Sequence, residues 1–302
     1  MDTVQVGVVD DLEELIRVDL LGRLPRGSST GELAGVSLAR LVIVYLNWRG
    51  RYVPPVPRRV HMAPELIRSF AYAAHRHVVD EIAALIVMGY DVTPHLSYNV
   101  AVAHTSPSDA GRRKDLDRLI ADWGIHHLHL SLDVQKDGFV SRTGDLLFVA
   151  LQPTEAYILG VFPHRGAWTR SDLAETCVRN WPRSGLFHEM AGAVGLTQEF
   201  NEADRAKLRA AGITTLWEID GRVWIPPGRT LAGTPTTATR HANALMHALR
   251  ELREQLARDS PELTDPIRAQ GGDLTGKIPR REAAAEHGWY GCGSQTRACS
   301  PQ

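Results

Sequence analysis

Asp122-Trp123-Gly124-Ile125-His126-His127-Leu128-His129-Leu130, then Arg142-Thr143-Gly144-Asp145-Leu146-Leu147-Phe148-Val149, then Tyr157-Ile158-Leu159-Gly160-Val161-Phe162-Pro163-His164: the fold turns on how these three segments are read. In the first, side chains alternate with a period of two, as in a half-buried strand. His127 and His129 then share one face, and His126 shares the other with Leu128 and Leu130. Leu146 to Leu151 is apolar on both faces, which predicts a central strand. Pro153-Thr154-Glu155 makes a turn, and Tyr157 to Phe162 is expected to pair back. Three such segments with short connections predict an antiparallel meander. A helix should follow from Ser171, presenting Leu173, Cys177, Val178 and Trp181 on one side and stopping at Pro182.

Outward from this core, helical signals dominate. Val9 to Leu24 reads as an amphipathic helix with Asp10 or Asp11 as cap and Leu12, Leu15, Ile16 and Leu20 as its stripe. Leu38 to Trp48 is apolar nearly throughout, and its period does not decide between helix and strand. Arg49 to Val60, with Pro54, Pro55 and Pro57, reads as an extended connector. Pro64 opens a helix expected to run to Met88 and close at Gly89. A further helix should follow the Ser106-Pro107-Ser108-Asp109 turn and carry Arg112, Arg113, Lys114, Leu116, Leu119 and Ile120. Downstream, Asn201 to Ala211 reads as a capped helix, and Asp220-Gly221 is a strong hairpin signal between Ile213–Ile219 and Arg222–Ile225. A long helix from about Thr237 to Arg258, with His241, Leu245, Leu249, Leu252 and Leu256 as its narrow stripe, is expected either to pack across the body or to pair with a second copy as a homodimer. The prediction is an α+β chain with a small antiparallel β-meander core, an N-terminal helical layer and a C-terminal hairpin plus long helix. Its segments are 1–121, 122–182, 183–258 and an irregular tail, 259–302.

Composition excludes several classes. The 302 residues are 43% hydrophobic and 23% charged, as in an ordinary globular protein. No apolar run approaches the ~20 residues of a membrane span, and Met1-Asp2-Thr3-Val4 lacks a secretory start, so a cytoplasmic protein without membrane partners is expected. Three cysteines are too few for a disulfide framework. The net charge of −1 announces no nucleic-acid partner in bulk. Locally, six arginines between Arg49 and His77 face one acid, Glu65. Such a run is either a solvated loop and helix face or a phosphate-facing surface.

Metal-free cleavage of RNA needs a base for the 2′-hydroxyl, a cation for the phosphorane and an acid for the leaving 5′-oxygen. Histidine suits the proton transfers because its ordinary pKa lies near 6.5, and arginine suits the phosphate because its planar guanidinium donates to two oxygens at once. His127, His129 and His164 are the candidates for the first task and Arg142 for the second. Trp168 or Tyr157 could stack on an unpaired base. Each also has a structural reading: His126 as a satisfied core histidine, Trp168 and Trp181 as packing, Arg142 as an ordinary turn arginine. Three imidazoles also fit a catalytic zinc, with Asp122 or Asp145 behind them. Cys292, Cys299 and His287 are a weaker set. No phosphate loop, nucleophile elbow or kinase signature is present.

The ordered His–Arg–His set on a meander resembles the RelE/ParE superfamily of toxin–antitoxin ribonucleases, especially its YafQ-like branch. The matching pieces are His127-Leu128-His129-Leu130, Arg142 with Leu146-Leu147-Phe148-Val149, and Val161-Phe162-Pro163-His164-Arg165-Gly166-Ala167-Trp168. The likeness covers about 50 of 302 residues, and Pro163 departs from the usual threonine. It implies a metal-independent endoribonuclease of toxin or phage-defence type, without cofactor. His127, His129, Arg142 and His164 would be catalytic, and Trp168, Arg165, Arg58 and Arg59 would bind substrate. The implied partners are RNA, free or on the ribosome, and an antitoxin protein. The alternatives are a non-catalytic partner-binding or assembly protein and a His-ligated metal-dependent hydrolase.

Overall fold

The computed structural model describes residues 6–25, 30–106, 113–164, 166, 170–198, 200–257 and 265. The chain is α+β. Among the described residues the helices are α1 (Val6–Arg23), α2 (Thr30–Leu33), α3 (Leu38–Arg49), α4 (Pro64–Ile67), α5 (Phe70–Met88), α6 (Arg118–Trp123), α7 (Ser171–Asn180), α8 (Glu202–Ala210) and α9 (Thr236–Ala257). The strands are β1 (Arg59–Met62), β2 (Ile125–His129), β3 (Asp145–Leu151), β4 (Glu155–Pro163), β5 (His188–Glu189), β6 (Trp217–Ile219) and β7 (Arg222–Ile225).

The expected meander is present as β2–β3–β4, each strand antiparallel to the next. It gains a fourth member: β1 runs parallel to β4, so the sheet is mixed, in the order β1-β4-β3-β2. The reading of Arg49 to Val60 as a connector missed where that connector ends, because four residues after three prolines carry almost no periodic signal. In β4 the register shifts opposite Phe148 and Val149. There Gly160 makes room for a ring: a Cβ on it would sit 2.3 Å from Phe162, whose ring packs 5.7 Å from Phe148.

β3 is apolar on both faces because both are covered. On one face Ile125, Leu146, Phe148 and Leu159 pack with Leu119 and Trp123 of α6, Leu173 and Cys177 of α7, and Trp217 and Trp224 of the small sheet. On the other, Leu128, Leu147, Val149 and Ile158 pack with Val79, Ile82 and Ile86 of α5 and with Val92, Leu96 and Val100. Burial raises the pKa of the Cys177 thiol, as suits a core residue.

Local chemistry corrects several expected boundaries. Leu38–Arg49 is helical, started by Ser37, whose hydroxyl accepts from the Arg40 N–H. The expected 64–88 helix breaks at Ser69, which caps α5 by accepting from Tyr72 N–H, and leaves Phe70 exposed. α6 begins only at Arg118, so Arg113, Lys114 and Leu116 lie in non-helical chain before it. The Asp220-Gly221 turn joins β6 and β7 with positive φ at both residues, 53° and 71°. β5 adds a third strand beyond β7.

Residues 14–250 form one compact unit, within which the expected borders at 121/122 and 182/183 both fall. There Leu249 of that stripe is buried by the chain itself, along with Ala238 and Ala242 of the same helix, α9, whereas His241 is exposed and Leu245 half-buried. In the other unit, Arg253 of α9 meets Asp10 at 2.7 Å and Glu13 at 3.2 Å. No helix among the described residues is long and apolar enough to cross a membrane.

Candidate functional site

Thr143 and Gly144 tie three strand ends together. The Thr143 hydroxyl donates to the Asp145 carbonyl (2.6 Å) and accepts from Leu130 N–H (3.0 Å), while its backbone N–H donates to His129 Nδ1 (3.2 Å). The Gly144 carbonyl accepts the His164 N–H at 2.8 Å. The end of β2, the start of β3 and the end of β4 are thus fixed against one another. That end of the sheet opens into a cavity of about 760 Å³. His127, His129, Arg142 and His164, chosen from sequence on separate segments, all line it.

Strand alternation puts His127 and His129 on the cavity side and His126 on the opposite face, among Leu128 and Leu130. His127 is backed by Phe148, with ring centres 6.5 Å apart, and its ring stands edge-on to that of His164 at 6.3 Å. Its Nδ1 lies 3.6 Å from Asp117 Oδ2. The other oxygen of Asp117 caps α6, accepting from the Leu119 and Ile120 N–H groups. Asp117 therefore holds the helix and faces the histidine with one carboxylate.

His129 is built differently. Its Nδ1 accepts a backbone N–H, which leaves the proton of the neutral ring on Nε2. Burial, reinforced by Arg142 and the neighbouring histidines, drives its pKa down to about 4. Its carbonyl accepts from His95 Nδ1 at 3.0 Å, and burial lowers the pKa of His95 as well. At neutral pH His129 is an uncharged donor, unsuited to taking a proton.

The rest of the wall is cationic. Arg51, Arg113, Lys114, Arg118 and Arg142 line the cavity, and Asp117 is its one acidic lining residue among the described residues. Arg113 is held by the buried Asp115 in a two-pronged pair (2.7 and 2.6 Å). Burial alone would raise the Asp115 pKa, but Arg113 and Thr105 outweigh it and hold the carboxyl below its ordinary range. Arg142 is exposed and rests over the Tyr98 ring, 5.0 Å from its centre. Sequence reasoning reached Arg51 only as one cation of the 49–77 run and did not single out Asp117 or Tyr98. The one available signal was Asp117 two residues before the apolar Leu119-Ile120 pair, a capping pattern.

The remaining candidates among the described residues lie elsewhere. Arg58 is a correction: it is buried, and its guanidinium donates to the carbonyls of Gln152 (2.8 Å), Pro54 (2.9 Å) and Val56 (3.1 Å), so it pins a loop and does not face solvent. Arg59 is exposed but sits on β1, the opposite edge of the sheet from β2, 3.9 Å from Glu155. The arginines of the 49–77 run are thereby dispersed, and Arg51 alone of the six lines the cavity. Tyr157 is buried against Trp181, away from the cavity, and so is no base platform. His126 is buried, which lowers its pKa to about 4. Asp122 serves Arg209 and Arg229, each at 2.7 Å, and Asp145 meets His75 at 3.2 Å; neither stands behind the cavity histidines. Arg165, Trp168, His287, Cys292 and Cys299 lie outside the described residues, as does the 259–302 tail apart from residue 265. Among the described residues, no group of three or more His, Cys, Asp or Glu side chains is placed to hold a metal ion.

No protein-family model matches the chain, and no curated protein or solved structure matches it either.

Proposed function

We propose that the protein is a cytoplasmic, metal-independent endoribonuclease whose reaction takes place in the cavity at the β2–β4 end of the sheet. The observation that carries this reading is the meeting of His127, His129, His164 and Arg142, from separate segments, around one cationic space. His127, with Asp117 at its Nδ1, is the general base for the 2′-hydroxyl, since a carboxylate there favours the imidazolium formed as the proton arrives. The 2′-oxygen attacks phosphorus, the P–O5′ bond breaks, and His164 protonates the departing 5′-oxygen. The products are a 2′,3′-cyclic phosphate and a 5′-hydroxyl. Arg142 leaves Tyr98 to grip the non-bridging oxygens, and neutral His129 adds an N–H where negative charge builds. The toxin or phage-defence role, and an antitoxin partner, belong to the same proposal and rest on the resemblance of the central segments.

The test is cleavage of single-stranded RNA in EDTA by the purified protein and its His164→Ala variant. The wild type should cut, and the variant should be slower by about 10²–10⁴-fold. Equal rates in the two proteins, or loss of wild-type cutting in EDTA, would overturn the reading.

A further inference from the structure

The cavity carries more positive charge than one diester can match. Among the described residues the cavity has five lining Arg and Lys side chains, of which Arg113 is neutralised by Asp115, and Asp117 is the single lining carboxylate. Arg51, Lys114, Arg118 and Arg142 remain against that one acid. A bound scissile diester adds one negative charge, so two positive charges are still unanswered.

Arg51 makes this more than a solvated surface. It is 3% exposed, and its guanidinium donates to the carbonyls of Asn99, Lys114 and Val102. Carbonyls satisfy hydrogen bonds but bring no charge, and among the described residues Nε has no hydrogen-bond partner. Among the described residues no carboxylate lies within ion-pair distance of it. The two that act on it from farther off are occupied, Asp115 by Arg113 and Asp117 by α6 and His127. Burial accordingly lowers the Arg51 pKa. A buried cation without a counter-charge is costly to keep unless an anion arrives. The cavity is also roomy, its volume lying toward the upper end of the ~300–1,000 Å³ usual for ligand sites. Tyr98, 46% exposed on the same wall, offers a ring face once Arg142 moves to a phosphate.

We infer that the cavity takes a run of unpaired RNA backbone: Arg51, Lys114 and Arg118 form a subsite for a phosphate flanking the scissile one, with a base stacked on Tyr98. The inference rests on the RNA-cleaving reading only for where the scissile phosphate sits. The same cations would also suit the phosphates of a free nucleotide, so the test separates the two sources.

The experiment measures binding of uncleavable 2′-O-methyl oligonucleotides to the full chain across a salt series, for wild type, Lys114→Ala and Arg118→Ala. Both substitutions are at exposed positions, so folding should be kept. A tetranucleotide should bind more tightly than a dinucleotide. Each substitution should flatten the log K against log salt slope for the tetranucleotide by about 0.7, the value for one phosphate contact on a single strand, and leave the dinucleotide unchanged. Equal binding of the two lengths, unchanged slopes in both variants, or adenosine triphosphate binding as tightly as the tetranucleotide would each overturn the subsite. Because the probes cannot be cut, the outcome is independent of catalysis. Slopes that flatten in a protein unable to cleave RNA would retire the nuclease and leave the subsite standing. Cleavage with unchanged slopes would do the reverse.

Discussion

The two edges of the main sheet each carry a histidine beside a carboxylate, and they are built in opposite ways. On β1, His61 Nε2 sits 2.6 Å from Glu155 Oε2, and its ring stacks on Tyr157 at 5.1 Å and 16°. Trp181 closes in from the side, 6.5 Å away. On β2, His127 stands 3.6 Å from Asp117 beside open volume and, among the described residues, more lining cations than carboxylates. Residue type does not separate the two. What separates them is what surrounds the ring: a close partner and aromatic packing at one edge, space and surplus charge at the other. The first arrangement holds a strand in place, and the second suits a ligand.

The same substitution at both edges tests that contrast most strongly. His127→Gln should lower RNA cleavage by about 10²–10⁴-fold, whereas His61→Gln should leave it near wild type and cost only some stability. Similar losses in turnover from both would erase the distinction. Asp117→Asn sharpens it. Asparagine caps helices as well as aspartate does, so thermal stability should hold within a few tenths of a kcal/mol. Removing the charge beside His127 should cut kcat by about tenfold or more with KM little changed.

Acid response gives the next effect. His126 and His129 have folded pKa values of about 4, below the ordinary 6.5 of an unfolded chain. Between those values the unfolded state binds protons that the folded state does not, so stability is full above pH 6.5 and is lost as pH falls toward 4. Each ring can account for up to about 3 kcal/mol. Denaturant titrations at pH 7 and pH 5 should show this loss, and His126→Phe should reduce it; a wild type equally stable at both would contradict the burial assigned to these rings.

The smallest effects separate two neighbouring arginines. Arg58→Ala strands three carbonyls and should cost about 1–3 kcal/mol, without changing the salt dependence of RNA binding. Arg59→Ala should stay within about 0.5 kcal/mol. Unfolding midpoints for the pair check both numbers.

The contrast also explains what was legible in the sequence. Strand alternation put His127 and His129 on one face and His126 on the other, because period two is a property of the backbone and survives any packing. The α+β class and the Asp220-Gly221 hairpin were readable for the same local reason. β1 was not, since a four-residue parallel edge strand is selected by β4 and not by its own pattern. Arg51 was legible only as one cation of the 49–77 run, and Asp117 was not legible as a site residue, because nothing local says that the chain after α3 and the cap of α6 meet across the cavity. Arg58 misled for the converse reason: its neighbours in sequence are basic, but its neighbours in space are carbonyls. Asp122 shows the same limit, since its partners Arg209 and Arg229 lie far downstream.

In the proposed reaction the histidines at the β2–β4 end act on a diester through its 2′-hydroxyl. The most direct measurement compares a single-stranded RNA with the same strand made 2′-deoxy throughout, in EDTA, with product ends identified by mass. The RNA should be cut to fragments ending in 2′,3′-cyclic phosphate, and the deoxy strand should stay intact. Cutting of both strands, or RNA fragments bearing 3′-hydroxyl ends, would contradict it.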